Sequence, residues 1–230
     1  MPKKDPKMPV LAFDVYGTLI DPLGMEAHLR KTIRERAKEA TTLWRSKQLE
    51  YSFRRALMRK YVNFDVCTAQ ALDFVSVQLG IPLAEQEKRR LLAEYLRLPA
   101  YPDAAGALKT LQQQGFRMVA FSNGTERSVR ALLKHAGILE RFSGIVSVDA
   151  LRTFKPNPAV YGHLAKRVRG PKTSVWVISS NSFDVIGAKA CGFRAAWVQR
   201  APNAVLDPWG FSPDLVLHSL KELPAKPMIC

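Results

Sequence analysis

Short apolar runs closed by small or polar residues recur at 10–15, 117–121, 144–148, 174–178 and 194–198, with a weaker one at 215–217. Runs of this length with little alternation suit parallel strands covered by helices on both faces. Between the later runs the pattern predicts helices near 126–136, 158–169 and 183–191. Residues 25–97 hold few strand-like runs and read as helical and charged, until Pro99, Tyr101 and Pro102 break the block. Alternating strands and helices predict an α/β fold, a doubly wound, Rossmann-like parallel sheet core. The core is expected over 1–20 and 100–230, with an inserted helical cap over 21–99. Leaving the sheet at the end of the first strand, the cap would lie over the carboxyl ends of the strands and could shut water out. The start, residues 1–7, reads as a frayed polar tail.

Strand ends are where an open α/β sheet places ligands and chemistry. The first run delivers Asp14, followed by Val15, Tyr16, Gly17 and Thr18. A second acid two residues after Asp14 would make a Mg²⁺ site, because hard cations gather oxygen ligands. Tyr16 stands there, which suggests a carboxylate acting without a metal on something other than a phosphate. The later strand ends carry Ser122 and Asn123, then Lys155, then Ser179, Ser180, Asn181 and Asp184. Together they offer one nucleophile, one ammonium, several hydroxyl or amide donors and a second carboxylate. Singly each has an ordinary structural explanation: an aspartate caps a turn, a lysine before proline sits in a surface loop.

Composition narrows the classes. The chain has 230 residues, 47% hydrophobic and 24% charged, as in a globular protein with one good core. No apolar run is long enough to span a membrane and no signal-peptide pattern is present, so a cytoplasmic protein with no membrane partner is expected. Cys67, Cys191 and Cys230 lack C-x-x-C spacing, and the four histidines form no ligand pattern. The net charge of +15 raises nucleic acid as a partner. Basic residues are mixed with acids along the helices, and no RNA- or DNA-binding motif accompanies them. No nucleic-acid partner is therefore expected, and the field would instead steer a small anion.

The ordered motifs resemble the haloacid dehalogenase superfamily, and within it the L-2-haloacid dehalogenases. They are Asp14-x-Tyr16-Gly17-Thr18-Leu19, Ser122-Asn123-Gly124, Lys155-Pro156-x-Pro158-x-x-Tyr161 and Ser179-Ser180-Asn181-x-Phe183-Asp184-x-x-Gly187-Ala188. A fifth stretch, 43–51, is similar to the family's arginine-bearing cap helix. Phosphatases of the superfamily carry acids where this chain has Tyr16 and Ser180, so the resemblance implies no metal and no cofactor.

What the resemblance implies is hydrolysis of short L-2-haloalkanoic acids to D-2-hydroxy acids and halide. Asp14 would attack C2 and form an ester that water then hydrolyses. Thr18 would orient Asp14, Arg45 would descend from the cap to the leaving halide, and Lys155 would offset the negative charges. Ser122, Asn123 and the backbone N–H groups near Val15 and Tyr16 would hold the substrate carboxylate. Ser179, Asn181 and Asp184 would orient Lys155 and the hydrolytic water, with Tyr161 supporting that network. Tyr16, Leu49, Phe64 and Phe183 would wall the alkyl group and halogen, and Asn181 would also touch substrate. Ser46 replaces a glutamine common after the cap arginine and would enlarge or rewet the halide end. The partners implied are a 2-halocarboxylate and halide, with a homodimer open. A relative acting on another C2-substituted carboxylate or a phosphate ester, and a non-enzymatic basic binding protein, are the other readings.

Overall fold

Leu11, Ala12 and Phe13 of β1 (Val10–Phe13) are wholly buried, and every residue of β4 (Val175–Ser179) is buried. Neither strand presents a solvated face, as its apolar run requires. The computed structural model describes residues 8–227, so the 1–7 tail and Cys230 lie outside the described residues. With β2 (Arg117–Ser122), β3 (Ile145–Ser147), β5 (Arg194–Val198) and β6 (Leu215–Leu217), these strands form a six-stranded sheet in the order β3-β2-β1-β4-β5-β6. Every pairing is parallel. The chain winds away from β1 in both directions, and the order reverses between β1 and β4. That switch point opens a crevice at the carboxyl ends of the two strands.

β1 ends at Phe13, earlier than its apolar run. Asp14 N–H still donates to Ile178 O at 2.9 Å, but Val15 O then takes the N–H groups of Leu19 and Ile20 at 2.9 and 3.0 Å. This curls the chain into a tight turn, with Gly17 at φ +93°. A side chain at that φ would be strained, which accounts for the glycine.

Between β1 and β2 lie α1 (Met25–Ile33), α2 (Ala37–Leu57), α3 (Phe64–Gln78), α4 (Glu85–Tyr95) and α5 (Ala104–Gln113). The apolar pattern did not single out α5. α2 buries Ala37, Ala40, Thr41, Trp44, Gln48 and Ser52, at three- and four-residue spacing, against α3. The two ends of this helical block are pinned side by side: Ile20 bridges Ala100, and Tyr101 N–H donates to Leu19 O at 2.8 Å.

After β2 come α6 (Glu126–His135), α7 (Pro158–Val168) and α8 (Ser182–Ala190). Thr125 caps α6 by accepting Ser128 N–H at 3.1 Å. Asn157 caps α7 by accepting Ala159 N–H at 2.9 Å, with Pro158 as first helical residue. Asn181 occupies the same position on α8 but makes no side-chain cap bond. Its amide is used elsewhere. The helical block meets the sheet side through Ser128 Oγ donating to Asp65 at 2.6 Å, Tyr61 OH donating to Asp149, and Phe53 edge-on to Phe183 at 5.1 Å.

Candidate active site

The turn after β1 presents the Asp14 carboxylate into the crevice. One oxygen, Oδ2, accepts the Thr18 hydroxyl and the Asn181 amide N–H, both at 2.8 Å. The other, Oδ1, accepts only Lys155 Nζ among the described residues, at 3.1 Å. Thr18 is itself fixed, because Ser180 N–H donates to its Oγ1 at 2.8 Å. Ser180 Oγ donates to Gly17 O at 2.6 Å. The position where a phosphatase would carry an acid therefore serves to brace the nucleophile turn. Among the described residues no group of three His, Cys, Asp or Glu is placed to hold a metal.

Lys155 is 1% exposed, with three acceptors for its three protons: Asp14 Oδ1, Phe121 O at 2.8 Å and Asp184 Oδ2 at 2.8 Å. The ammonium also sits 3.9 Å from the Phe121 ring centroid. Burial raises the Asp184 carboxyl above its usual range; Lys155 pulls it back and Asp14 adds to the rise. Tyr161 OH donates to Asp184 Oδ1 at 2.9 Å. Burial holds the phenol well above its usual value, so it stays a donor. Gly187 makes room for this: a Cβ there would lie 2.8 Å from Tyr161 Cζ and from Pro156 Cβ.

Two expected roles change. Among the described residues Ser179 and Asn181 make no hydrogen bond to the Lys155 ammonium, whose three protons are already taken. Ser179 Oγ accepts Asn181 N–H at 3.2 Å and so caps the turn. Asn181 instead joins Asp14 to the Tyr16 carbonyl, donating to Tyr16 O at 3.0 Å. Ser122 Oγ accepts Gly124 N–H at 3.1 Å, and Asn123 Oδ1 accepts Lys155 N–H at 2.9 Å. The Ser122 hydroxyl proton and the Asn123 amide nitrogen keep their donors unspent among the described residues. So do the backbone N–H groups of Val15 and Tyr16. These groups lie at and just past the ends of β1 and β2, which are neighbours in the sheet.

From the helical block, Arg45 on α2 reaches the same place. Its Nη2 donates to Tyr16 O at 3.1 Å and lies 3.5 Å from Asn181 Oδ1. Its Nη1 donates to Gln48 Oε1 at 2.8 Å. Gln48 is buried and held by Thr68 Oγ1 at 2.5 Å and Tyr95 OH at 3.0 Å. Tyr16 stacks on Tyr95 at 5.7 Å and lies 5.5 Å from Phe64. Burial and the neighbouring Tyr95 raise its phenol well above the usual value, so Tyr16 is a neutral wall. Leu49, one turn after Arg45, is half-buried. Phe183 packs on Phe53, with no ring contact to Tyr16 among the described residues. Ser46, the residue after Arg45, is exposed.

A further brace was not legible in sequence. Arg200, just past β5, donates to Thr18 O at 2.5 Å and to both oxygens of Asp103 at 2.9 and 2.7 Å. Asp103 also accepts Ser219 Oγ and Leu220 N–H, each at 2.8 Å. Burial acts to raise Asp103, but these donors outweigh it and hold the carboxyl below its usual range. Gln48 and Tyr95 likewise join the site without a motif of their own.

A haloacid dehalogenase-like hydrolase family model matches residues 8–192. The chain is 37% identical over 212 residues to haloacetate dehalogenase H-2 of Moraxella sp. (strain B), covering 92% of this chain and 94% of that protein. It is 36% identical over 212 residues to an (S)-2-haloacid dehalogenase of Pseudomonas sp. (strain YL), covering 92% and 90%. The solved L-2-haloacid dehalogenase of Xanthobacter autotrophicus, with chloropropionic acid covalently bound, superimposes with a TM-score of 0.89 at 33% identity, covering 95% of this chain and 97% of that one.

Proposed function

The chain belongs to the haloacid dehalogenase-like hydrolases, and on that premise we propose that it is an (S)-2-haloacid dehalogenase working through an ester on Asp14. The observation that carries the reading is the divided carboxylate of Asp14. Thr18 and Asn181 hold Oδ2, while Oδ1 faces only Lys155. The cradle of Val15, Tyr16, Ser122 and Asn123 donors takes the substrate carboxylate. Oδ1 attacks C2, the carbon–halogen bond breaks with its electron pair on the halide, and Arg45 receives that anion.

Oδ1 is then the ester oxygen and Oδ2 the carbonyl oxygen. Thr18 and Asn181 now polarise that carbonyl and stabilise the oxyanion formed when water adds to Cγ. The Asp184–Lys155 pair takes one proton from the water; the raised Asp184 suits this role. Collapse breaks the Cγ–Oδ1 bond, and the departing alkoxide recovers the proton. Asp14 re-ionises, so each turnover releases one halide and one proton. Because only the first step touches C2, the product is the inverted D-2-hydroxy acid. No step in this scheme uses a metal or cofactor.

A single turnover of L-2-chloropropionate in ¹⁸O-water, with EDTA, tests the scheme. The first product is expected to carry unlabelled oxygen from Asp14, and Asp14→Asn to lose about 10⁴-fold in kcat. Label in the first product's hydroxyl would mean that water attacks C2 directly.

Two finer parts of the reading concern the whole molecule. A cytoplasmic location is supported by the free thiols of Cys67 and Cys191, and fractionation tests it. A homodimer is supported by Met58 and Val77, exposed around a cavity of about 550 Å³ on α2 and α3. Tyr51 and Phe74 line the same face, which adds aromatic surface for a two-fold copy to cover, and sedimentation tests it.

A further inference from the structure

Away from the catalytic cluster, we propose a second anion site at the seam between the helical block and the sheet, built by Arg59, Lys60, Arg152 and Thr153 for a phosphate-class oxyanion. These residues line a cavity of about 550 Å³ together with Tyr61 and Asn157. Arg59 and Lys60 follow α2. Arg152 and Thr153 lie on the sheet side, in the segment leading to Lys155 and α7.

None of the three cations has a carboxylate partner within ion-pair distance among the described residues, although Arg54 near the end of α2 does. Arg152 only covers the Tyr61 ring, at 5.3 Å. The acid of the seam, Asp149, is taken up by the Tyr61 hydroxyl. Three like charges around one cavity repel one another until an anion enters. The Thr153 hydroxyl oxygen is buried and has no hydrogen-bond partner among the described residues. Buried polar groups are nearly always paired, so this one lacks the acceptor the cations also lack. An oxyanion of two or more charges satisfies both needs, since its several oxygens can accept from the hydroxyl and from cations on both walls. A halide or a monocarboxylate offers one charge and fewer acceptors in a cavity of this size.

The site is separate from the chemistry. Tyr61 lines the cavity and packs on Phe154 at 5.1 Å; Phe154 meets Phe64 at 6.0 Å, and Phe64 meets Tyr16. Aromatic rings thus stand between the cavity and Asp14. Because its cations come from both sides of the seam, a bound oxyanion joins the helical block to the sheet.

Calorimetric titration with inorganic phosphate, and separately with glycerol phosphate, tests the site at ionic strength fixed with sodium chloride. The wild-type protein is expected to bind, and Lys60→Ala/Arg152→Ala to weaken binding about tenfold or more. Thr153→Val is expected to cost about threefold. Dehalogenation without phosphate should be unchanged in both, which shows that they fold. Tighter binding of glycerol phosphate would identify an organic phosphate as the occupant, and the reverse order free phosphate. No binding by the wild type, or equal affinity in the double variant, would overturn the proposal.

Discussion

Lys155 is 1% exposed with every proton committed to an acceptor, whereas Arg45 is half-buried and spends its donors on Gln48 and a main-chain carbonyl. The sheet side of the site holds Asp14, Lys155 and Asp184 by strand ends and by bonds that leave little freedom. The helical side reaches in with one long side chain from α2, supported by Gln48, Thr68 and Tyr95. The difference matches two demands. A nucleophile must be aimed before substrate arrives, because orientation is the cheaper part of the barrier to remove in advance. In the proposed reaction a leaving halide must be met and then released, which suits a side chain that can exchange a carbonyl for an anion.

The comparison breaks most visibly at Lys155. Lys155→Met leaves two buried carboxylates without their shared cation and is expected to cost about 3–5 kcal/mol, read as a lowered urea midpoint. An unchanged midpoint would mean that the sheet side is less committed to this charge than its geometry indicates. Arg45→Lys keeps the charge and removes the planar fork. It is expected to lower kcat by about 10²-fold while stability changes by less than about 0.5 kcal/mol. A stability loss matching that of Lys155→Met would erase the distinction between the halves. Gly187→Ala should press on Tyr161 and Pro156, costing about 1–3 kcal/mol and lowering kcat, which thermal melts and steady-state kinetics together detect. A tolerant site would show neither.

The smallest effect concerns Asp103. It holds its proton less tightly folded than unfolded. The stability it contributes is therefore full above its ordinary value of 3.8 and lost as pH falls through its lowered folded value. Asp103→Asn is expected to lower the melting temperature at neutral pH and to narrow its gap from the wild type as the pH drops below that value. A constant gap at all pH would remove Asp103 from the acid response.

The sheet side was also the legible side. Asp14, Ser122 and Ser179 each follow an apolar run, and a strand end tells where its next residues go. Lys155 and Asp184 are close behind such ends, so a local pattern placed them. The braces were illegible for the opposite reason. Arg200, Asp103 and Ser219 meet only because β5 and the connection after the helical block return to one place, and no periodicity records that meeting. Asn181 was expected to serve Lys155, and its amide bonds Asp14 and the Tyr16 carbonyl. As the N-cap of α8 it could reach either Lys155 or Asp14, and only the filled shell of Lys155 decides between them. Ser46 was read from a family pattern alone, and the sequence did not show that the helix turns it outward. The division of the helical block into four helices, with α5 after it, rests on packing that charge-rich sequence disguises.

The pinned connection at Ile20 and Ala100 has an evolutionary consequence. Everything between those residues leaves and returns at a single point, so the sheet closes through Tyr101 and Leu19 whatever the excursion contains. A segment joined in that way can be lengthened, shortened or exchanged without rethreading the strands. The nucleophile would descend unchanged through such exchanges, while the roof above it, with its arginine and its aromatic wall, is free to diverge from one lineage to the next.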